Sequence, residues 1–295
     1  MAATLALVAA ACFALAATLQ QKGALGLGGI SFAHPASLFR LLRQYWWLAG
    51  TAVLFVGYAF QAVALDHGRL SVIQPLLVTT IVFALPLGYF ITAQHVGRRE
   101  VIGAIVVVIG LAVFTVVGDP AGGRDNAPND QWAIAIAVVI VLVGVLMVLG
   151  GRATLERKAG MYGAAAGLLY GLSASLWKPS ADMIDAGGVS AAFSHWEIYA
   201  CGLAGIAAFV VQQVSLGTGR LAPSVATTSV LNPVLSVCIG IVLLEETLSL
   251  PVWHKVVAWA GLSLAMWGAI SISLEREGDA GAEPAREPTP AAPAV

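Results

Sequence analysis

QAVALDHGRL (residues 61–70) and QQVSLGTGRL (residues 212–221) agree at six of ten positions, 151 residues apart. The shared residues are Gln61/Gln212, Val63/Val214, Leu65/Leu216, Gly68/Gly219, Arg69/Arg220 and Leu70/Leu221. Each copy keeps a glutamine among apolar neighbours, and the number of membrane crossings between the copies decides what the repetition means. The composition makes the bilayer the relevant solvent. The chain is 59% hydrophobic and 11% charged, against about 25% charged for an ordinary soluble domain. Its net charge of −1 offers nothing to a nucleic acid. Cys12, Cys201 and Cys238 each stand alone in apolar runs, without disulfide or metal spacing. The first apolar run lacks a basic leader and is long enough to span, so it reads as a retained helix.

A spanning helix needs roughly 20 apolar residues. Nine charge-free stretches qualify: 1–21, 44–65, 70–94, 101–118, 131–151, 159–177, 198–219, 221–244 and 256–274. Residues 118–130 make the clearest break, and 31–44, with Phe39 and Leu42 beside Arg40 and Arg43, suits a short helix lying in the interface. The tail 275–295, rich in Glu, Pro and Ala, reads as disordered. Loop cations set the orientation. Of the 15 Lys and Arg, eleven (Lys22, Arg40, Arg43, Arg98, Arg99, Arg152, Arg157, Lys158, Arg220, Arg276, Arg286) fall on one side and four (Arg69, Arg124, Lys178, Lys255) on the other. The first side is then cytoplasmic, with the N-terminus outside and the C-terminus inside a cell inner (plasma) membrane.

Five crossings separate the two GRL passages, an odd number, so the same loop appears on opposite faces. ALAATLQ (14–20) pairs likewise with GLSASLW (171–177), and WLAG (47–50) with GLAG (202–205). The expected fold is an all-α integral membrane protein of about nine transmembrane helices in a 4+1+4 inverted repeat. Residues 1–118 form the first repeat (spans 1–4), and 119–158 an acidic loop with the connecting span 5. Residues 159–274 form the second, inverted repeat (spans 6–9), and 275–295 a cytoplasmic tail. Inverted repeats are a signature of secondary transporters, because each half can imitate the other. Duplication kept for packing, as in a non-transporting membrane scaffold, is the alternative of another class.

No acid lies mid-span, so the polar candidates are amides, hydroxyls and phenols, which in lipid face a bundle interior or cavity. Gln61 and Gln212 hold equivalent places in spans 2 and 7, with Gln213 beside the second. Gln74, Thr79 and Thr80 lie in span 3; Thr227, Thr228, Ser229 and Asn232 in span 8; Tyr58 and Tyr170 in spans 2 and 6. The expected substrate-binding set is Tyr58, Gln61, Gln74, Thr79, Tyr170, Gln212, Gln213 and Asn232. Pro75 and Pro86 in span 3, and Pro223 and Pro233 in span 8, are expected to interrupt their helices and free carbonyls, flanking the substrate. Gly163, Gly167 and Gly171 form a ridge for close packing, within the monomer or in a homodimer. Glu245 and Glu246 close span 8 at the outer surface, and the five histidines lie in or beside loops without metal-ligand spacing. No Walker loop, nucleophile elbow or HExxH occurs, so neither an enzyme nor a cofactor is expected.

Several segments resemble the drug/metabolite transporter superfamily, of the EamA-like kind, and within it the NIPA-type magnesium transporter branch. LQQKGALG (19–26), WLAG (47–50), QPLL (74–77), RREVIGAIVVVIGLAVF (98–114), LLEETL (243–248) and the Gln212-Gln213 pair carry that resemblance. It covers about residues 3–274 and implies an inverted-repeat bundle and carrier-type transport. Where the branch has an acid this sequence has Tyr58, where the branch has an asparagine it has Gln61, and Gln94 stands in place of a turn glutamate. Magnesium prefers carboxylate oxygens, so a cavity of amides and hydroxyls between spans 2, 3, 7 and 8 suits a small metabolite or amphipathic drug. A divalent cation is the alternative that the resemblance implies. The expected partners are that small-molecule substrate or cation and the lipid bilayer.

Overall fold

The computed structural model describes residues 1–28, 36–67, 73, 76–94, 96–118, 124, 126–245 and 252–274. Gln74, Pro75, the first GRL passage (68–70), residues 119–123 and 125 of the loop 118–130, Glu246 and the tail 275–295 lie outside the described residues. Every element among the described residues is a helix: α1 (Ala2–Leu25), α2 (Ala36–Leu41), α3 (Tyr45–His67), α4 (Thr80–Thr92), α5 (Arg98–Gly118), α6 (Asn129–Gly151), α7 (Leu155–Gly187), α8 (Val189–Ala192), α9 (Trp196–Leu216), α10 (Leu221–Val242) and α11 (Val252–Ser273).

Seven of these, α1, α3, α5, α6, α9, α10 and α11, are long and apolar enough to cross a membrane. The chain is a multi-pass membrane protein. The remaining two expected spans are α4, with 13 residues, and α7, with 33. The middle of α7 is charge-free but loaded with Gly, Ser and Tyr, and most of that stretch is buried in protein. A helix that meets neighbours instead of lipid has no need of an oily surface. Its neighbour α6 is the converse, with only 11% of its apolar core shielded by the rest of the molecule.

Glycine seams decide which helices touch. Along α3, Gly50, Gly57 and Ala64 recur every seven residues and face α1. A Cβ at Gly50 would lie 2.8 Å from the Ala16 carbonyl, and one at Gly57 would lie 2.7 Å from the Phe13 ring. Between α7 and α9, a Cβ at Gly205 would lie 3.2 Å from Ser173 Oγ, and that hydroxyl donates to the Cys201 carbonyl at 2.9 Å. Ala16 and Ser173 are matching positions of ALAATLQ and GLSASLW, and Gly50 and Gly205 of WLAG and GLAG, so repeated sequence makes repeated contacts. Between α5 and α11, Gly110 meets Gly261 at 2.5 Å and Gly268 meets Gly103 at 2.9 Å, each measured from a Cβ to the facing carbonyl. The ridge of Gly163, Gly167 and Gly171 packs inside the monomer, against Ser224, Thr228 and Asn232 of α10.

Among the described residues, Pro86, Pro223 and Pro233 do not interrupt their helices as expected. α4 runs unbroken through Pro86 and α10 through Pro233. Pro223 lies in the first turn of α10, where no i−4 carbonyl waits for an N–H. What divides the third span is the turn at Thr79, immediately before α4.

Candidate functional site

Mid-bundle, aromatic side chains of α1 and α3 pack together and face one on α7 at longer range. The Tyr58 ring packs edge-on against Phe13 at 5.1 Å and lies within electrostatic reach of Tyr170. Tyr58 is 51% exposed. Phe13 and Tyr170 each stand one residue before a matched stretch, ALAATLQ and GLSASLW, so the two halves contribute equivalent aromatics. Phe13 escaped the sequence reading because an apolar ring in an apolar span carries no signal. Gln61 follows Tyr58 by one turn on the same helix face, is half-buried, and forms no hydrogen bond among the described residues. Asn232 is half-buried, and its backbone carbonyl lies 2.7 Å from a Cβ built on Gly171. Tyr58, Gln61, Tyr170 and Asn232 are thus the expected residues that the fold leaves unspent near the centre.

The other described members of the expected set are engaged. Thr79 donates to the Leu76 carbonyl at 2.5 Å and Thr80 to the Leu77 carbonyl at 2.7 Å, which satisfies the turn before α4. Gln212 donates to Ser224 Oγ at 3.1 Å and accepts from Thr228 Oγ1 at 2.7 Å, tying α9 to α10. Ser215 continues that chain to Ser224 at 2.7 Å and to the Ala159 carbonyl of α7 at 2.8 Å. The repeat-related glutamines therefore differ: Gln212 is bonded within its own half, and Gln61 is not.

Gln213 belongs to a different place, the bundle end where α1 finishes. It is 2% exposed, donates to Gln20 Oε1 at 3.2 Å and accepts from Trp47 Nε1 at 2.8 Å. Beside it, Gln94 donates to Gln21 and to Thr92, and its Oε1 accepts from the Leu221 backbone N–H at 2.9 Å. That last bond satisfies one of the orphan donors at the N-terminus of α10. Gln21 is fully buried and its Nε2 has no partner among the described residues. Among those residues, three hydrogen bonds join 1–118 to 159–274: Gln213–Gln20, Trp47–Gln213 and Leu221–Gln94. All three lie at this end. Arg220 caps the same end through an ion pair of 2.9 Å with Glu156. The sequence hid Gln20 and Gln21, because polar residues beside Lys22 read as an ordinary helix end.

At the opposite end Arg124 reaches the Leu243 carbonyl at 2.8 Å, Gln131 Oε1 at 2.8 Å and Glu245 at 3.1 Å. Glu197, in the first turn of α9, is 3% exposed and accepts from Asn126 Nδ2 at 2.9 Å. Asn126 in turn accepts from Trp132 Nε1 at 2.9 Å. Among the described residues no group of three or more His, Cys, Asp or Glu gathers in metal-ligand fashion.

The chain is 27% identical over 233 residues to an uncharacterised protein of Corynebacterium glutamicum, covering 79% of this chain and 80% of that one. A second relative, a probable magnesium transporter, NIPA1, of Arabidopsis thaliana, is 23% identical over 137 residues, 44% of this chain and 41% of its own. No protein-family model and no solved structure matches the chain. Helices apolar enough to span and a distant transporter relative together support a membrane transporter in general terms.

Proposed function

We propose that the chain is a secondary carrier, not an enzyme, of the drug/metabolite transporter type. It moves a small metabolite or amphipathic drug by alternating access in nine spans arranged as a 4+1+4 inverted repeat. One observation carries this reading: among the described residues the hydrogen bonds between the two halves cluster at one end, while the half-exposed Tyr58 and the half-buried Gln61 at mid-depth take part in none. That is how a carrier closed on one side is built. The barrier it implies is modest. Interhelical hydrogen bonds in membranes are worth about 0.6 kcal/mol each, so three give about 2 kcal/mol, on the scale that separates interconverting states. By the loop cations the closed end is cytoplasmic, with the N-terminus outside.

Phe13, Tyr58 and Tyr170 offer flat rings, and Gln61 and Asn232 add uncharged polar groups. A largely apolar lining with few polar groups suits an organic ligand, and the rings attract a cationic one. A divalent cation is the second reading, favoured by the Arabidopsis relative, a probable magnesium transporter; its hard-oxygen needs would fall on amides, phenols and water. A thermal-shift screen of the purified protein against divalent cations, amino acids and cationic drugs separates the two. A ligand at 100 times its dissociation constant stabilises the folded state by roughly 2.7 kcal/mol. Stabilisation by organic compounds, lost in Gln61→Leu and followed by their flux into proteoliposomes, supports the first reading. Stabilisation by magnesium alone, with magnesium flux, replaces it with the second. A Gln61→Leu variant that keeps full flux of every substrate tested removes the proposed site.

A further inference from the structure

We propose that the groove between α6 and α10 holds an acyl chain of a zwitterionic bilayer phospholipid, with its phosphate on Arg124 and its ammonium on Glu245. The groove is a cavity of about 420 Å³ lined by Ile134, Ala135, Val138 and Val139 of α6, facing residues of α10 that include Cys238 and Ile239. Both walls belong to spans. The rim residues Ile134, Val138 and Val242 are 64%, 51% and 70% exposed, so the groove opens sideways into the bilayer. What reaches it there is what the bilayer contains.

Its origin is in the packing. α6 packs chiefly on α7, and so does α10, but the two flank α7 without closing on each other. A gap left dry in lipid forfeits dispersion contacts along both walls, and a flexible hydrocarbon chain restores them.

One end of the groove is polar. Gln131 and Leu243 line it, and Arg124 bonds to both, through Gln131 Oε1 and the Leu243 carbonyl. Arg124 also pairs with Glu245 at 3.1 Å, and the Glu245 side chain is 67% exposed. The groove's head therefore presents a cation and an anion side by side. A purely anionic headgroup meets Glu245 with like charge, whereas a phosphate followed by an ammonium finds a partner for each. Guanidinium–phosphate pairing is strong where water is scarce, and headgroup recognition between spans follows such charge patterns.

The test is native mass spectrometry of the full chain in detergent, exchanged separately into phosphatidylethanolamine and phosphatidylglycerol. The expected result is a retained phosphatidylethanolamine adduct, at least about fivefold more abundant than the phosphatidylglycerol adduct. Filling the groove with Ala135→Trp should lower that adduct about tenfold. Val242→Trp, which plugs the mouth from the exposed rim, should do the same if the first variant fails to fold. Ile140→Trp, on the opposite face of α6 and 60% exposed, should leave it unchanged. Alkylation of Cys238 in the groove should slow when phosphatidylethanolamine is present. Absence of any retained phospholipid, or retention unaffected by both groove-filling variants, overturns the proposal; stronger retention of phosphatidylglycerol overturns its headgroup assignment. None of these readouts depends on transport.

Discussion

At the scale of single residues, the glutamines separate by what surrounds them. Gln61 leaves its amide available beside Tyr58, whereas Gln213 has both ends consumed and is 2% exposed. Opposite phenotypes follow. Gln61→Leu should keep the melting temperature within about 1 °C of the parent and lower flux at least tenfold, measured by thermal unfolding and proteoliposome uptake. Gln213→Leu leaves the Trp47 indole N–H and the Gln20 carbonyl unpaired in a buried site. Such orphaned groups cost about 1–3 kcal/mol, so this variant should lose stability in the same assay. Equal stability losses in the two variants would show that Gln61 is a packing residue too.

At the scale of elements, small residues matter more than polar ones. The pair α5 and α11 packs glycine on glycine: Gly103 meets Gly268 and Gly110 meets Gly261, seven positions apart on each helix. Gly110→Val forces a side chain against the Gly261 backbone. Overpacking of this kind costs about 1–3 kcal/mol, and the variant should melt several degrees lower. Gly144 of α6 has no neighbour within 4 Å of a built Cβ, so Gly144→Val should be neutral there. The same contrast explains why α7 escaped the hydropathy criterion that α6 meets easily: buried helices need fit, and lipid-facing ones need oil.

At the scale of the whole molecule, the glutamine-rich end acts as a closure between halves. Removing all three of its cross-half hydrogen bonds with Gln94→Leu and Gln213→Leu should shift the population toward opening at that end. A cysteine placed at Ala222, which is 9% exposed behind Gln94, should then react with a polar maleimide about tenfold faster. An unchanged rate would mean that the network holds the halves together without gating them.

The sequence by itself determined the solvent, the helical character and the places of the spans, because the cost of bare backbone and charge in lipid is written directly in hydropathy and in the positions of Lys and Arg. Its repeated passages also marked contacts that recur, Ala16–Gly50 and Ser173–Gly205, since similar local sequence packs in similar ways. Only the tertiary structure decided which polar residues are free. Gln61 and Gln212 share a sequence context, yet Ser224 and Thr228 occupy one amide and leave the other, and those partners come from a helix 12–16 residues away. The role of Gln20, Gln21 and Gln94 was illegible for the same reason. A glutamine at a helix end looks solvated until distant helices close over it, and hydrogen bonds across 73, 127 and 193 residues leave no periodic trace in the chain.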